Sequence, residues 1–378
     1  MKLAYCTPSL YLPGGIERVL TTKANYMAEK YGYEIYIILT DGGNKESYYP
    51  LSSKIKIIQL DIDFEELWNL SFLQKIVTYL RKQRIYRQKL KKTLCMIRPD
   101  ITISLLRREI NFLTTIKDGS KKVGEIHTNR IFYRNFKIEN NTLIKRLFSF
   151  FWEKQLIRNL KQLDCFVVLT PDDKKNWDEL DNVRIIPNPL PFYPEKESNC
   201  LNKKAIAVGR FSPEKGLDLL AYAWKIVSQK HPDWVLELYG GGDMTSLVNI
   251  AQQIDITSTF RINSATTDII NKYCESSISI LSSRFEGFGM VIAEAMACGV
   301  PAVSFNCPYG PKNIITDKVD GFLTENGNIH DLANKIIYLM EHDNDRIQMG
   351  KKARLNIQRL KIEEIGHQWD ELFKSLKQ

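Results

Sequence analysis

The chain has 378 residues, enough for two or three domains of ordinary size and for two sizeable hydrophobic cores. Apolar residues make up 44% and charged residues 26%, without a low-complexity tract or detectable repeat, which excludes a disordered or fibrous chain. No apolar run is long enough to span a bilayer, and the formal net charge of +9 is one-sided: residues 1–190 hold 32 Lys and Arg against 21 Asp and Glu, and residues 191–378 hold 21 against 23.

The N-terminus passes straight into a strand at residues 3–6, without a secretory h-region. A loop with Pro13-Gly14-Gly15 follows, then a helix with Ile16, Val19, Leu20, Ala24, Met27 and Ala28 on one face. Further strands are expected at 34–39, 55–60, 101–105, 123–127 and 165–170. Such alternation argues for a parallel sheet covered by helices, with ligands beyond the carboxyl ends of its strands. Gly14-Gly15 and His127 fall at such ends. Alone, the glycine pair is a flexible turn, and a lone histidine there is as readily a core residue as a ligand.

No acidic residue lies between Glu66 and Asp100, whereas Lys75, Arg81, Lys82, Arg84, Arg87, Lys89, Lys91, Lys92 and Arg98 do. Phe72, Leu73, Ile76, Leu80, Ile85, Leu90 and Leu94 are interleaved at helical spacing, and a second basic-aromatic stretch covers 144–152. Two readings stand: solvated helix faces over a core, or attachment to an anionic membrane surface. No nucleic-acid motif accompanies these stretches, so no nucleic-acid partner is expected. Seven cysteines, an odd number without paired spacing, read as buried thiols of a reducing compartment. No Cys/His cluster has zinc-ligand spacing. A cytoplasmic location, peripheral on the inner face of the cell membrane in the second reading, is expected.

Pro187, Pro189, Pro191 and Pro194 stiffen a connector and place the domain boundary at 187/188. A second series follows, with strands at 205–208, 234–239, 260–262, 278–281 and 302–305 and helices at 216–227, 245–254 and 267–274. Two Rossmann-like halves with a cleft between them is the economical fold. At the first turn of the second half, Gly209-Arg210 and Lys215-Gly216 set two cations five residues apart at a helix start. That is a clamp for a diphosphate, or two solvated charges. Gly240-Gly241-Gly242 reads as a phosphate loop or as a site of close packing.

The most informative stretch runs from Arg284 to Pro301. Gly287 and Gly289 break the loop after a strand, and a helix opens at about Met290 with its free N–H groups toward the loop. That end suits a phosphate. Glu286 in the loop and Glu294 more than a turn into the helix can reach different parts of one ligand. A merely structural buried helix leaves Glu294 unexplained, because an unpaired buried carboxylate is costly.

Glu286 and Glu294, with seven residues between them and Ala295-Met296-Ala297-Cys298-Gly299-Val300-Pro301 following, resemble the signature of glycosyltransferase family four. Its members are retaining, nucleotide-sugar-dependent enzymes. The likeness covers essentially the whole chain and is strongest over 205–323, taking in Gly209-Arg210, Lys215-Gly216 and Asp320-Gly321-Phe322-Leu323. It implies an α/β GT-B fold, two Rossmann-like domains facing a cleft. Residues 1–187, with a returning C-terminal helix at 360–378 that carries Trp369, would bind acceptor; 188–359 would bind the nucleotide-sugar.

By the same resemblance, Glu294 holds the ribose hydroxyls, Glu286 the donor-sugar hydroxyls, and Arg210 and Lys215 the departing diphosphate. Gly289, Met290 and Val291 offer backbone N–H groups, and Arg261 lies beside the nucleobase. Gly14 and Gly15 approach the diphosphate, and His127 contacts the donor sugar without being a general base. Ser264 replaces the usual Gly and Ser282-Ser283 the usual Pro-Ser, which leaves the base open, with UDP preferred over GDP. Cys307-Pro308-Tyr309-Gly310-Pro311 resembles a variant of polysaccharide-assembly members. The implied activity is sugar transfer to a glycan or lipid-linked glycan acceptor, with no cofactor and no metal. Three alternatives stand beside it: a nucleotide-sugar epimerase of the same fold, a non-catalytic nucleotide-sugar-binding protein, and a metal-dependent GT-A enzyme using Asp61-Ile62-Asp63.

Overall fold

The computed structural model describes residues 1–130, 133 and 143–378, and the side chains of all of these except 72, 73 and 143–149. The chain divides into two compact units, Met1–Pro189 with Ile362–Gln378, and Leu190–Lys361. The first crossing, at 189/190, falls two residues later than the prolines suggest, and the second, at 361/362, two residues after the 359/360 that the resemblance implies. Asn188 is buried in the first unit beside His127, whereas the Leu190 N–H already donates to Leu360 O at 2.7 Å in the second.

The first unit is built on seven parallel strands: β1 (Lys2–Thr7), β2 (Glu34–Leu39), β3 (Ile55–Gln59), β4 (Ile101–Ser104), β5 (Lys121–Glu125), β6 (Cys165–Val168) and β7 (Val183–Ile185). Their order is β3-β2-β1-β4-β5-β6-β7. Its helices are α1 (Gly15–Lys30), α2 (Phe72–Ile97), α3 (Leu143–Lys161) and α4 (Pro171–Lys175). β4 and β6 are buried at every position, as strands covered on both faces must be. The strand order reverses between β1 and β4, so the loops leaving these two strands diverge around a ready-made ligand position.

The second unit repeats the plan with β8 (Lys204–Val208), β9 (Val235–Gly240), β10 (Phe260–Ser264), β11 (Ile278–Leu281), β12 (Ala302–Phe305) and β13 (Gly321–Thr324), ordered β10-β9-β8-β11-β12-β13 and all parallel. Helices α5 (Leu217–Lys230), α6 (Thr245–Gln253), α7 (Ile269–Cys274), α8 (Met290–Ala297), α9 (Ile329–Glu341) and α10 (Asp343–Asn356) cover it. One face packs Trp224, Leu238, Ile336 and Leu339, and the other Tyr273, Ala295 and Cys298. The reversal here lies between β8 and β11.

The final helix, α11 (Ile362–Lys377), belongs to the first unit and packs on α1. Ile365, Trp369 and Phe373, spaced at four, form its buried stripe. Gly366 makes the approach possible, since a Cβ there would lie 2.5 Å from Tyr26 Cε1. The Tyr33 hydroxyl donates to Asp370, which Lys374 also pairs at 2.8 Å.

α2 sorts its interleaved apolar residues between core and solvent. Its buried stripe is Tyr86, Leu90, Leu94 and Ile97, while Ile76, Val77 and Leu80 are exposed, as is Trp68 (78%) just before the helix. Lys82 and Lys89 do not join the free basic face. Lys82 Nζ donates to Ile62 O (2.5 Å) and Asp63 O (2.9 Å) and pairs with Glu66, and Lys89 Nζ donates to Leu60 O (2.5 Å). They tie down the loop after β3, where Asp61 and Asp63 adopt φ of 48° and 56°. Asp61-Ile62-Asp63 thus follows an edge strand, away from the reversal of strand order, and among the described residues no group of three or more His, Cys, Asp or Glu could hold a metal. The second basic-aromatic stretch, 144–152, falls within α3, and its side chains at 144–149 lie outside those of the described residues. Among them, no helix is long and apolar enough to cross a membrane. The seven cysteines are free, six of them buried and Cys95 exposed.

Candidate active site

In the second unit, the loops after β8 and β11 leave adjacent strands at the point of reversal. Lys215 ends a single 3₁₀ turn, Pro213–Lys215, in the first loop. Its Nζ donates to Glu286 Oε1 in the second at 2.7 Å, and Ser283 Oγ donates to the same oxygen at 2.7 Å. The backbones are joined as well: Ser282 Oγ donates to Lys215 O (3.0 Å), and the Arg284 N–H to Glu214 O (2.9 Å).

The Arg284 guanidinium forks onto Asp218 in the first turn of α5 (2.9 and 2.6 Å), which holds the Asp218 carboxyl below its ordinary range. Gly216 has φ +59°, and a Cβ there would lie 2.1 Å from Ser282 O, so a side chain would force the two loops apart. Gly310 closes the site from the loop after β12. A Cβ on it would meet Phe288 O at 2.7 Å and Glu286 Cβ at 2.9 Å. Burial and the nearby Glu286 carboxylate push the Cys307 thiol up to about 12.

Arg210 and Lys215, expected as one clamp, face different carboxylates. Arg210 leaves from the start of the loop, is 77% exposed, and pairs with Glu214 at 3.1 Å, whereas the 3₁₀ turn directs Lys215 toward Glu286. Gly240 serves close packing, as a Cβ there would lie 1.9 Å from Gly209 O, and the Phe211 N–H donates to Gly241 O (2.8 Å).

α8 begins after Gly289, which caps it at φ +94° and is itself buried; Met290 and Val291 form its first turn, half-buried. Glu294 follows one turn on and is buried in a helix otherwise lined by Ile292, Ala293, Ala295, Met296 and Ala297. Arg261 is not brought to this group. It sits at the second position of the edge strand β10, across from Glu237 (3.8 Å), because β10 continues to Ser264 and places Asn263 and Ser264 at its carboxyl end.

In the first unit, Gly14 precedes α1, and a Cβ on it would meet only the end of the flexible Glu17 side chain, whereas Gly15 faces open space. His127 lies two residues beyond β5 with its side chain 3% exposed. Nε2 is 3.3 Å from Glu125 Oε1 without hydrogen-bond geometry, and neither ring nitrogen has a hydrogen-bond partner among the described residues. Burial, reinforced by Lys23 and Arg107 and opposed by Glu125, pulls its pKa down to about 4, so the imidazole is neutral at physiological pH.

Two neighbours escaped the sequence reading. Lys23 of α1 donates to Glu125 Oε2, with side chains 0% and 2% exposed, and Trp369 of α11 lays its ring 3.8 Å from Lys23 Nζ. The signal was Lys23 itself, four residues from both Val19 and Met27 and hence on the helix's apolar face. A lysine there requires a buried partner.

Residues 194–356 match the family model described as glycosyl transferases group 1. An uncharacterized glycosyltransferase of Haemophilus influenzae is 29% identical over 374 residues, 97% of this chain and 98% of that one. A poly(ribitol-phosphate) alpha-N-acetylglucosaminyltransferase of Staphylococcus aureus is 29% identical over 264 residues, 68% of this chain but about half (51%) of the relative. The fold is similar to the crystal structure of an S. aureus TarM mutant in complex with fondaparinux, alpha-GlcNAc-glycerol and UDP, with a TM-score of 0.76 at 17% identity over 98% of this chain and 99% of that one. The chain has a GT-B fold. It is a glycosyltransferase, and neither the epimerase nor the binding-protein alternative is favoured by these matches.

Proposed function

We propose that this enzyme is a retaining member of glycosyltransferase family four that moves a hexosyl or N-acetylhexosaminyl group from a UDP-sugar to a glycan or lipid-linked glycan acceptor in surface-polysaccharide assembly, without a metal. The observation that carries the reading is the Lys215–Glu286 pair on the two loops at the reversal of strand order. Lys215 and Arg210 take the diphosphate, with the N–H groups around Gly289, Met290 and Val291. Glu286, fixed by two donors on one oxygen, accepts from donor-sugar hydroxyls. Glu294 takes the ribose. Gly14 and Gly15 approach the diphosphate, and neutral His127 meets the donor sugar. UDP is supported by the staphylococcal structure, which holds UDP and alpha-GlcNAc-glycerol, and a polymer acceptor by the relative named for poly(ribitol-phosphate).

In this mechanism the acceptor oxygen bonds to the anomeric carbon on the face from which the diphosphate leaves. The anomeric carbon–oxygen bond to phosphate breaks, and the leaving phosphate oxygen takes the acceptor proton. Lys215 and Arg210 stabilise the charge that develops there. A histidine with pKa near 4 is a poor base at neutral pH, in keeping with its contact role. The acceptor is met at an anionic membrane surface through α2, whose Lys75, Arg81, Arg84, Arg87, Lys91 and Lys92 are exposed beside Ile76, Val77 and Leu80.

Thermal unfolding with UDP, GDP or ADP tests the donor site. At about one hundred times its dissociation constant UDP should add roughly 2.7 kcal/mol. A response to GDP alone would overturn the base assignment, and no response would overturn the anion site. NMR of the product then reads the anomeric configuration, and inversion would sink the retaining mechanism.

A further inference from the structure

Lys23 has no role in the scheme above, yet it is fully buried and charged-paired. Buried ion pairs are weak evidence of stabilisation, since packed apolar residues of similar volume do as well or better. Its surroundings come from four elements: α1 supplies Lys23, β5 Glu125, β1 the Tyr5 ring at 5.4 Å, and α11 the Trp369 ring at 3.8 Å. Glu125 uses its two oxygens differently. Oε2 receives the ammonium, and Oε1 faces His127 Nε2 at 3.3 Å.

Without Lys23, the nearest group able to balance a buried Glu125 carboxylate is the imidazole, which would do so by becoming imidazolium. An imidazolium has only donors to offer. It would also oppose the positive charge that grows at an anomeric carbon as its leaving group departs. The charged and polar groups facing His127 are Glu125 of β5, Lys23 of α1, Arg107 in the loop after β4, and Asn188 at the end of the first stretch of the unit.

We propose that Lys23 is a positioning residue for His127: it neutralises Glu125 and occupies Oε2, so that Oε1 is the one carboxylate oxygen left beside Nε2 and favours the neutral tautomer protonated there, leaving Nδ1 as an acceptor. This rests on the reading that His127 meets the donor sugar. Trp369 completes the arrangement by covering the ammonium with an aromatic face in place of water.

The test is nitrogen-15 NMR of the histidines in the full-length protein without substrate, with His127 assigned through His127→Gln. In the wild type the Nε2–H tautomer is expected. In Lys23→Met the His127 titration midpoint should rise by about one unit or more, and kcat should fall roughly tenfold or more while donor KM changes less than about threefold. Removing both charges in Lys23→Met/Glu125→Gln should return the midpoint to its low value. A folded Lys23→Met protein with an unchanged midpoint overturns the proposal. Should that variant not fold, the wild type decides, because an Nδ1–H tautomer overturns it equally. The spectra need no donor, so expected spectra in a protein that transfers no sugar refute the reading of His127 and not the role of Lys23.

Discussion

Lys215 and Glu286 stand 71 positions apart in sequence and 2.7 Å apart in space. The pair exists because β8 and β11 are neighbours, and because Gly216 lets the loop after β8 lie against Ser282. Lys215→Ala leaves a nearly buried carboxylate short of a partner, which should cost about 1–3 kcal/mol of stability and lower turnover about 10²–10³-fold. Denaturant unfolding and initial rates measure both. Unchanged turnover would remove Lys215 from the chemistry.

Arg210 separates catalysis from stability. Its side chain is largely in solvent, so Arg210→Ala should shift stability by no more than about 0.5 kcal/mol. Turnover should nevertheless fall at least about tenfold if the guanidinium reaches the leaving diphosphate. Normal initial rates in a normally stable Arg210→Ala protein would leave Lys215 as the working cation.

His127 predicts a pH dependence with a definite sign. Its pKa is about 4 in the folded chain against about 6.5 unfolded, so the unfolded state binds the extra proton first. Its contribution is complete above about pH 6.5 and is lost as pH falls toward 4, with a slope of at most about 1.4 kcal/mol per pH unit. Urea midpoints across this window should fall less steeply in His127→Gln than in the wild type. Parallel curves would show that the imidazole is not held neutral.

The exposed face of α2 predicts salt-sensitive binding to anionic vesicles. Arg81→Glu/Arg84→Glu/Arg87→Glu should lower vesicle affinity by several kcal/mol, at about 1 kcal/mol per basic residue. It should leave UDP binding intact, since no α2 residue is placed in the nucleotide site. Sedimentation at low and high salt reads the effect, and equal pelleting of both proteins would sink it.

The sequence announced what is contiguous. Strand, glycine-bearing loop and helix follow one another at Val208–Leu217 and at Leu281–Met290, so both loops of the site could be read locally. Their meeting needed strand order, which no local pattern contains. Lys23 and Glu125 are 102 residues apart, and a lysine on an apolar face names the need for a partner but not the partner. β7 has three residues and β13 opens on Gly321, too little alternation to mark a strand. The carboxyl end of β10 was not legible because the strand runs two residues past its apolar stretch, nor was the buried stripe of α2, because apolar residues that face solvent share its periodicity.

The return of α11 to the first unit has a consequence for biosynthesis. α11 carries Trp369 and Asp370, which cover Lys23 and receive Tyr33, so the first unit cannot be completed until the chain beyond Lys361 has been made. Leu190–Lys361 is one continuous stretch, whereas the first unit is assembled from two stretches that it separates. A chain stopped at Lys361 would keep the residues of its Lys215–Glu286 loops and lack the Trp369 ring that covers Lys23, so the two units differ in how much of the chain each must wait for.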